Sequence, residues 1–219
     1  MTVSLSKRLA VSLLLAVFAC SLAGCWNPFA PAKGDPDDIE PAEFRERTSP
    51  RNVLHNIETA YEQKNVSKYM DCLSDDFIFY TSEEDQTGGD PLDPQWYRID
   101  EEEMHEGLFG TSQIDYISLT LTVSDTTHFP GDPQDPDDDE YVFIENVDLR
   151  VYEVGGYLRK ATTPQEYHFR IDDQVGPNGE TLWEIYRWWD LGRGRGDVET
   201  ENPHMETMSL ARLKSHYAN

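Results

Sequence analysis

The stretch Leu182-Trp183-Glu184-Ile185-Tyr186-Arg187-Trp188-Trp189-Asp190 constrains the fold more than any other. Three of the chain's five tryptophans fall within seven residues, on a segment that alternates like a strand and follows a Pro177-Asn178-Gly179 turn. Aromatic side chains bury the most area per residue, so this strand is expected at the centre of the main core. Its apolar phase changes midway, from Trp183 and Ile185 to Trp188 and Asp190. A second strand does the same, from Val142 and Ile144 to Val147, Leu149 and Val151. A shift of one residue in a period-two pattern is what a β-bulge produces, and a bulge bends its sheet. Two long bulged strands therefore predict a strongly curved sheet.

The elements before these strands read as helical. Ser49-Pro50 is a cap residue followed by a proline suited to the first helical position. Val53, Leu54, Ile57, Ala60 and Tyr61 then fall at helical spacing. Asn65 is placed to cap a short second helix bearing Val66, Tyr69, Met70 and Leu73. Phe77 to Tyr80 reads as a strand, Ser82 to Pro94 as a polar loop, and Asp100 with Glu103 as a capping box for a third helix carrying Met104, Leu108 and Phe109. Ile117, Leu119, Leu121 and Val123 alternate as a one-sided strand. Tyr167, Phe169 and Ile171 mark another strand, paired with the tryptophan strand through the Asn178-Gly179 turn. Gly192-Arg193-Gly194-Arg195-Gly196 reads as an exit loop, and Leu210, Leu213 and Tyr217 as one face of a last short helix.

The N-terminus has a different character. Lys7 and Arg8 precede an apolar run, Leu9 to Ala19, of the length of a signal-peptide core and too short for a comfortable membrane span. The run ends in Leu22-Ala23-Gly24-Cys25, which resembles the lipobox of bacterial lipoproteins. The resemblance implies cleavage before Cys25, diacylglyceryl attachment to its sulfur, and a multi-chain membrane anchor facing the periplasm. The absence of aspartate after Cys25 points, by the same resemblance, to the outer membrane rather than the inner. Residues 25–48 are rich in proline and acid and read as a tether. The expected organisation is thus signal peptide 1–24, tether 25–48, folded domain 49–190, and exit loop with C-terminal helix 191–219. After loss of Cys20 and lipidation of Cys25, only Cys72 remains, so no intramolecular disulfide is expected.

With 42 acidic and 18 basic residues the formal charge is -24. That surface repels phosphate and excludes direct nucleic-acid binding as an expected activity.

Helix, short helix, strand, helix and then long curved antiparallel strands make an α+β order. Together with Val53-Leu54-x-x-Ile57-x-x-Ala60-Tyr61, the segment Tyr69 to Leu73, Asp76-Phe77 and Trp183-x-Ile185-x-x-Trp188-x-Asp190, this order resembles the nuclear transport factor 2-like superfamily. The resemblance implies a cone of curved antiparallel sheet closed over a long N-terminal helix, with two shorter helices. It also allows a homodimer through the outer sheet face. The superfamily contains ketosteroid isomerase, polyketide cyclases and dehydratases beside many non-catalytic binding domains, so fold alone leaves activity open.

Two readings follow. One is an anchored domain that binds a partner protein or a small apolar ligand without catalysis, with Tyr61, Phe79, Tyr116, Tyr167, Trp183 and Trp188 as possible pocket lining. The other is an isomerase-, cyclase- or dehydratase-type enzyme using a carboxylate inside the cone, with Asp190, Asp76 and His105 as candidates. The sequence leans to the first, since no catalytic residue can be assigned from a motif. Asp135-x-Asp137-x-Asp139 opens like a calcium loop, but Glu140 stands where the loop needs glycine and Asn146 where it needs a bidentate glutamate. Those three aspartates are weak calcium candidates, and no metal or cofactor is assigned. Zinc, phosphate-loop and dinucleotide patterns are absent from the sequence.

Overall fold

The computed structural model describes residues 42–87, 90–127, 140–192 and 204–218. The signal segment, Cys25, most of the tether, the Asp135, Asp137 and Asp139 loop and the Gly-Arg loop lie outside the described residues.

The first helix, α1 (Pro50–Glu62), begins as its sequence dictates. Ser49 accepts a hydrogen bond from the Asn52 amide and Pro50 sits in the first turn, where no amide donor is missed. Val53, Ile57, Ala60 and Tyr61 are fully buried along one stripe. Asn65 caps α2 (Val66–Met70) by accepting from Lys68 N at 3.0 Å, and Tyr69 and Met70 turn inward. Next come β1 (Leu73–Tyr80), a helical turn α3 (Glu83–Thr87), a three-residue strand β2 (Gln95–Tyr97) and α4 (Arg98–Gly110). The chain then forms β3 (Ile114–Thr127), β4 (Glu140–Glu153), β5 (Leu158–Ala161), β6 (Gln165–Val175), β7 (Thr181–Asp190), β8 (Met205–Met208) and the C-terminal helix α5 (Leu210–His216).

One mixed sheet runs in the order β2-β1-β7-β6-β4-β5-β8, with β3 on the other side of β4. Most of its neighbours are antiparallel, but β1 runs parallel to β7 and β8 parallel to β5. The curvature arises where the alternation predicts it. Along β6–β7, His168 pairs with Arg187 and Phe169 with Ile185, which leaves Tyr186 as the extra residue. Along β3–β4, Thr122 pairs with Asn146 and Val123 with Ile144, so Glu145 is skipped. The bent β4 is shared: residues 140–144 pair with β6, and residues 149–152 pair with β5. At the β6–β7 turn Gly179 has φ +86°, a left-handed conformation that other residues resist.

Several local expectations need correction. Asp100 does not cap α4. It occupies the third position and accepts from the Tyr97 amide at 2.8 Å, so the helix starts three residues earlier. The polar loop after β1 contains α3 and is followed by β2, whose Trp96 is buried. The segment around residues 44–47, assigned to the tether on composition, is fastened to the domain. Asn56 pairs with both polar atoms of the Arg45 backbone, at 2.8 and 2.7 Å. Arg47 exchanges bonds with the Trp183 backbone: its carbonyl accepts from Trp183 N at 2.7 Å, and its guanidinium donates to Trp183 O at 3.0 Å.

Candidate functional site

The bulge at Tyr186 decides which tryptophan enters the cone. Beyond it Trp188 and Asp190 point inward, while Trp189 turns out to stack on Tyr80 at 4.8 Å. Trp188 is 1 % exposed and donates its indole N–H to Gln165 Oε1 at 2.6 Å. Phe79, Tyr61, Tyr69, Tyr167 and Phe169 are fully buried around it. Trp183 is only partly buried and packs against the core's edge. Tyr116, expected among the lining residues, faces outward at 49 % exposure and stacks on Tyr152. The reason is periodicity: Ile117 and Leu119 face the core, so their neighbour Tyr116 faces solvent with Ser118 and Thr120's side of the strand.

The interior holds charges that the sequence reading missed. Along α4, Glu101, His105, Leu108 and Phe109 are the buried residues, one helical stripe. Along α5 the buried positions are Leu210, Ala211, Leu213 and Lys214. Glu101 and Lys214 are both fully buried and meet at 2.5 Å. Tyr69 donates to the same carboxylate oxygen, Oε1, and Trp96 Nε1 donates to Oε2 at 2.6 Å. A carboxylate accepts from all three donors with no proton of its own to place, and Glu101 in turn opposes the fall that burial imposes on the Lys214 pKa. Burial pushes the Glu101 carboxyl up, but the charge of Lys214 and the hydrogen bonds from Lys214 and Tyr69 hold it below its ordinary value. The ammonium also lies over two aromatic faces, 3.8 Å from the Trp188 ring centroid and 4.3 Å from that of Phe79.

His105 is the one catalytic candidate inside this cluster, and its hydrogen bonds define its state. Its Nδ1 lies 2.8 Å from the Glu101 carbonyl oxygen, which can only accept, so Nδ1 carries the proton. Nε2 is then the acceptor for the Tyr61 hydroxyl at 2.8 Å. Burial, against the pull of Glu101, lowers the His105 pKa from 6.5 to about 4. Neutral imidazole is therefore the form at neutral pH, with both nitrogens engaged.

The other two candidates lie elsewhere. Asp190 is buried at the end of β7 and ties the C-terminal helix to the sheet. Its Oδ2 accepts from the Ala211 amide at 2.9 Å, and its Oδ1 accepts from Gln165 Nε2 at 2.9 Å and the Gly192 amide at 3.2 Å. Burial raises its pKa, and those donors oppose the rise. Asp76 points out of the cone and is clasped by Arg170 at 2.6 and 3.1 Å on the exposed side of β1. Cys72 is a buried thiol, pushed up to about 12 by burial. Tyr167, whose ring lies 4.4 Å from Trp188, ends in a buried hydroxyl without a hydrogen-bond partner. A separate polar groove of about 430 Å³ opens outside the cone among Arg47, Arg98, Arg170, Asp172 and Glu184. Among the described residues, no group of three or more His, Cys, Asp or Glu is placed to hold a metal ion.

Glu101 escaped the sequence reading because it sits in the run Asp100-Glu101-Glu102-Glu103, which composition reads as a solvated face. Its helical spacing to His105, Leu108 and Phe109 was the available signal. For Lys214 the signal was a cation on the Leu210, Leu213 and Tyr217 stripe.

No family model matches the chain, and no curated protein matches it. Solved structures do. A conserved protein from Planctomyces limnophilus is similar at 16 % identity over 64 % of this chain and 89 % of that one, with a TM-score of 0.47. The beta subunit of a benzoate 1,2-dioxygenase from Burkholderia mallei matches at 14 % identity over 64 % and 85 %, TM-score 0.44. An NTF2-like protein of unknown function from Pseudomonas putida matches at 9 % identity over 70 % and 91 %, TM-score 0.41.

Proposed function

We propose that the chain is a lipid-anchored protein of the bacterial cell envelope whose cone domain binds without catalysing a reaction. The Leu22-Ala23-Gly24-Cys25 pattern supports the anchor and the periplasm-facing placement. One observation carries the non-catalytic part: the ionisable groups of the cone are already spent on one another. Glu101 accepts from Tyr69, Trp96 and Lys214, and His105 has a partner at each ring nitrogen. A general base needs a lone pair that faces its substrate's proton, and a pKa near the working pH. Neither condition is met by His105, and the Asp190 oxygens are committed to Ala211, Gly192 and Gln165.

Imidazole nitrogen NMR tests this reading. His105 is expected to remain the neutral Nδ1–H tautomer from pH 8 down to pH 5, given a pKa of about 4. Titration of His105 between pH 6 and 7.5 would restore the enzymatic reading. Separately, Cys25→Ala is expected to move the protein from the membrane to the soluble fraction and to abolish the mobility change produced by globomycin.

A further inference from the structure

We propose that the cone interior is a recognition site for an alkylammonium ion, occupied in the closed state by the chain's own Lys214, and that an external amine competes with the C-terminal helix for it. The inference rests on the non-catalytic binding reading and gives it a ligand class.

The surroundings of the Lys214 ammonium are those of a cation receptor. A carboxylate lies at 2.5 Å, and the faces of Trp188 and Phe79 lie at 3.8 and 4.3 Å. A carboxylate with aromatic faces is the recurring solution for binding ammonium groups away from water. The receptor is also built without α5. Tyr69 from α2 donates to Oε1, the oxygen that Lys214 also meets, and Trp96 from β2 donates to Oε2, so Glu101 is held by two groups outside α5. Phe79 stacks on Trp96 at 4.3 Å with the rings 3° from parallel, and Trp188 is fixed by Gln165. Every wall therefore keeps its support when the lysine leaves, as preorganised binding requires.

A purely structural role explains this arrangement poorly. Burying an ion pair costs desolvation of both ions, and apolar residues of like size usually stabilise a core as well or better. The element that delivers Lys214 is also short: a seven-residue helix behind a four-residue edge strand, too short to be stable by itself. Its remaining polar fastenings to the domain include Arg212 to Asp85 at 2.8 Å and the Tyr217 hydroxyl to Glu153 at 2.7 Å.

The ligand class follows from the lysine it replaces. The site takes a primary amine on an apolar stem of about four carbons, the length of the Lys214 side chain. The chain's charge of -24 raises the local concentration of such cations.

The test uses the full chain, with n-butylammonium chloride as probe and n-butanol as its neutral isostere at constant ionic strength. In Lys214→Ala, butylammonium is expected to quench tryptophan fluorescence and raise Tm, with affinity at least about tenfold above that of wild type, where the resident lysine taxes binding. Butanol should do neither, and adding Glu101→Gln should remove the response. A folded Lys214→Ala protein that ignores butylammonium, or answers butanol equally, overturns the proposal. If that variant does not fold, wild type decides: hydrogen exchange across residues 205–218 should accelerate with butylammonium and not with butanol, and an unchanged profile overturns the competition. Gly107→Ala provides an independent lever, since its Cβ would lie 2.0 Å from the Tyr217 carbonyl oxygen and must displace the end of α5. It is expected to tighten amine binding with the receptor residues intact, and weaker binding in a folded variant would count against the proposal. His105 NMR separates the two readings. Failure of amine binding with a neutral His105 removes only the ammonium site, whereas a titrating His105 removes the non-catalytic reading.

Discussion

Two ion-pair clusters in this molecule use similar groups in opposite settings. Inside the cone, Glu101 and Lys214 meet with no solvent exposure on either side chain. On the outer sheet face, Arg170 bridges Asp76 and Glu184 at 2.6 and 2.9 Å, with the Asp76 side chain 56 % exposed. The outer cluster is screened by water and is worth little to stability. The inner one stands in a medium where each charge depends on the other, so the pair is expensive to assemble and far more expensive to halve. Proximity is the same in both places; solvent sets the consequence.

The sharpest way to break that contrast is to remove one inner partner. Lys214→Met should leave an uncompensated buried carboxylate and cost about 3–5 kcal/mol by denaturant unfolding. Glu101→Gln/Lys214→Met should recover most of that loss, because neither remaining group carries a charge. A double variant as unstable as the single would show that the pair contributes through packing instead.

An intermediate effect is expected on the acid side, through His105. Its pKa is about 4 in the fold against 6.5 when free. Below pH 6.5 the unfolded chain therefore takes up a proton that the native protein refuses, so stability falls as the pH drops towards 4 and levels off below it for this group. The whole window is worth about 3 kcal/mol on the linkage relation. Equilibrium unfolding at pH 7 and pH 5 should show most of this slope, and His105→Gln should flatten it. The smallest effect belongs to the outer cluster: Asp76→Asn should change stability by no more than about 1 kcal/mol, less in high salt. A loss comparable to that of Lys214→Met would erase the distinction between the two settings.

The same contrast explains what was legible in the sequence. Period-two alternation is a local property, so the bulge at Tyr186 could be read from Ile185 and Trp188, and helical spacing exposed α1. The α+β cone was legible for that reason. Short elements carry too little periodicity, which is why α3 passed as loop and β2 was assigned to no element. Tyr116 was grouped with the lining residues by its aromatic character, although its phase relative to Ile117 already put it outside. The Glu101–Lys214 pair joins residues 113 apart in the chain, and each taken alone has the composition of a surface residue. Helical spacing could place each of them on a buried stripe, but only folding pairs them, so no local pattern could announce the ion pair.

The fastening of residues 45–47 has a mechanical consequence. A pull delivered along the chain from its N-terminal side first meets Ala42 and Glu43, whose carbonyls are bonded to Gln63 and to His55 of α1, and then Arg45. The load then passes into Asn56 of α1 through the Arg45 backbone, and into β7 through the exchange between Arg47 and Trp183. Helix and central strand take up the strain together, and Ser49, the cap on which α1 depends, is reached only after those bonds give way. The domain thus meets tension at two of its most deeply packed elements, with its first helical turn held in reserve.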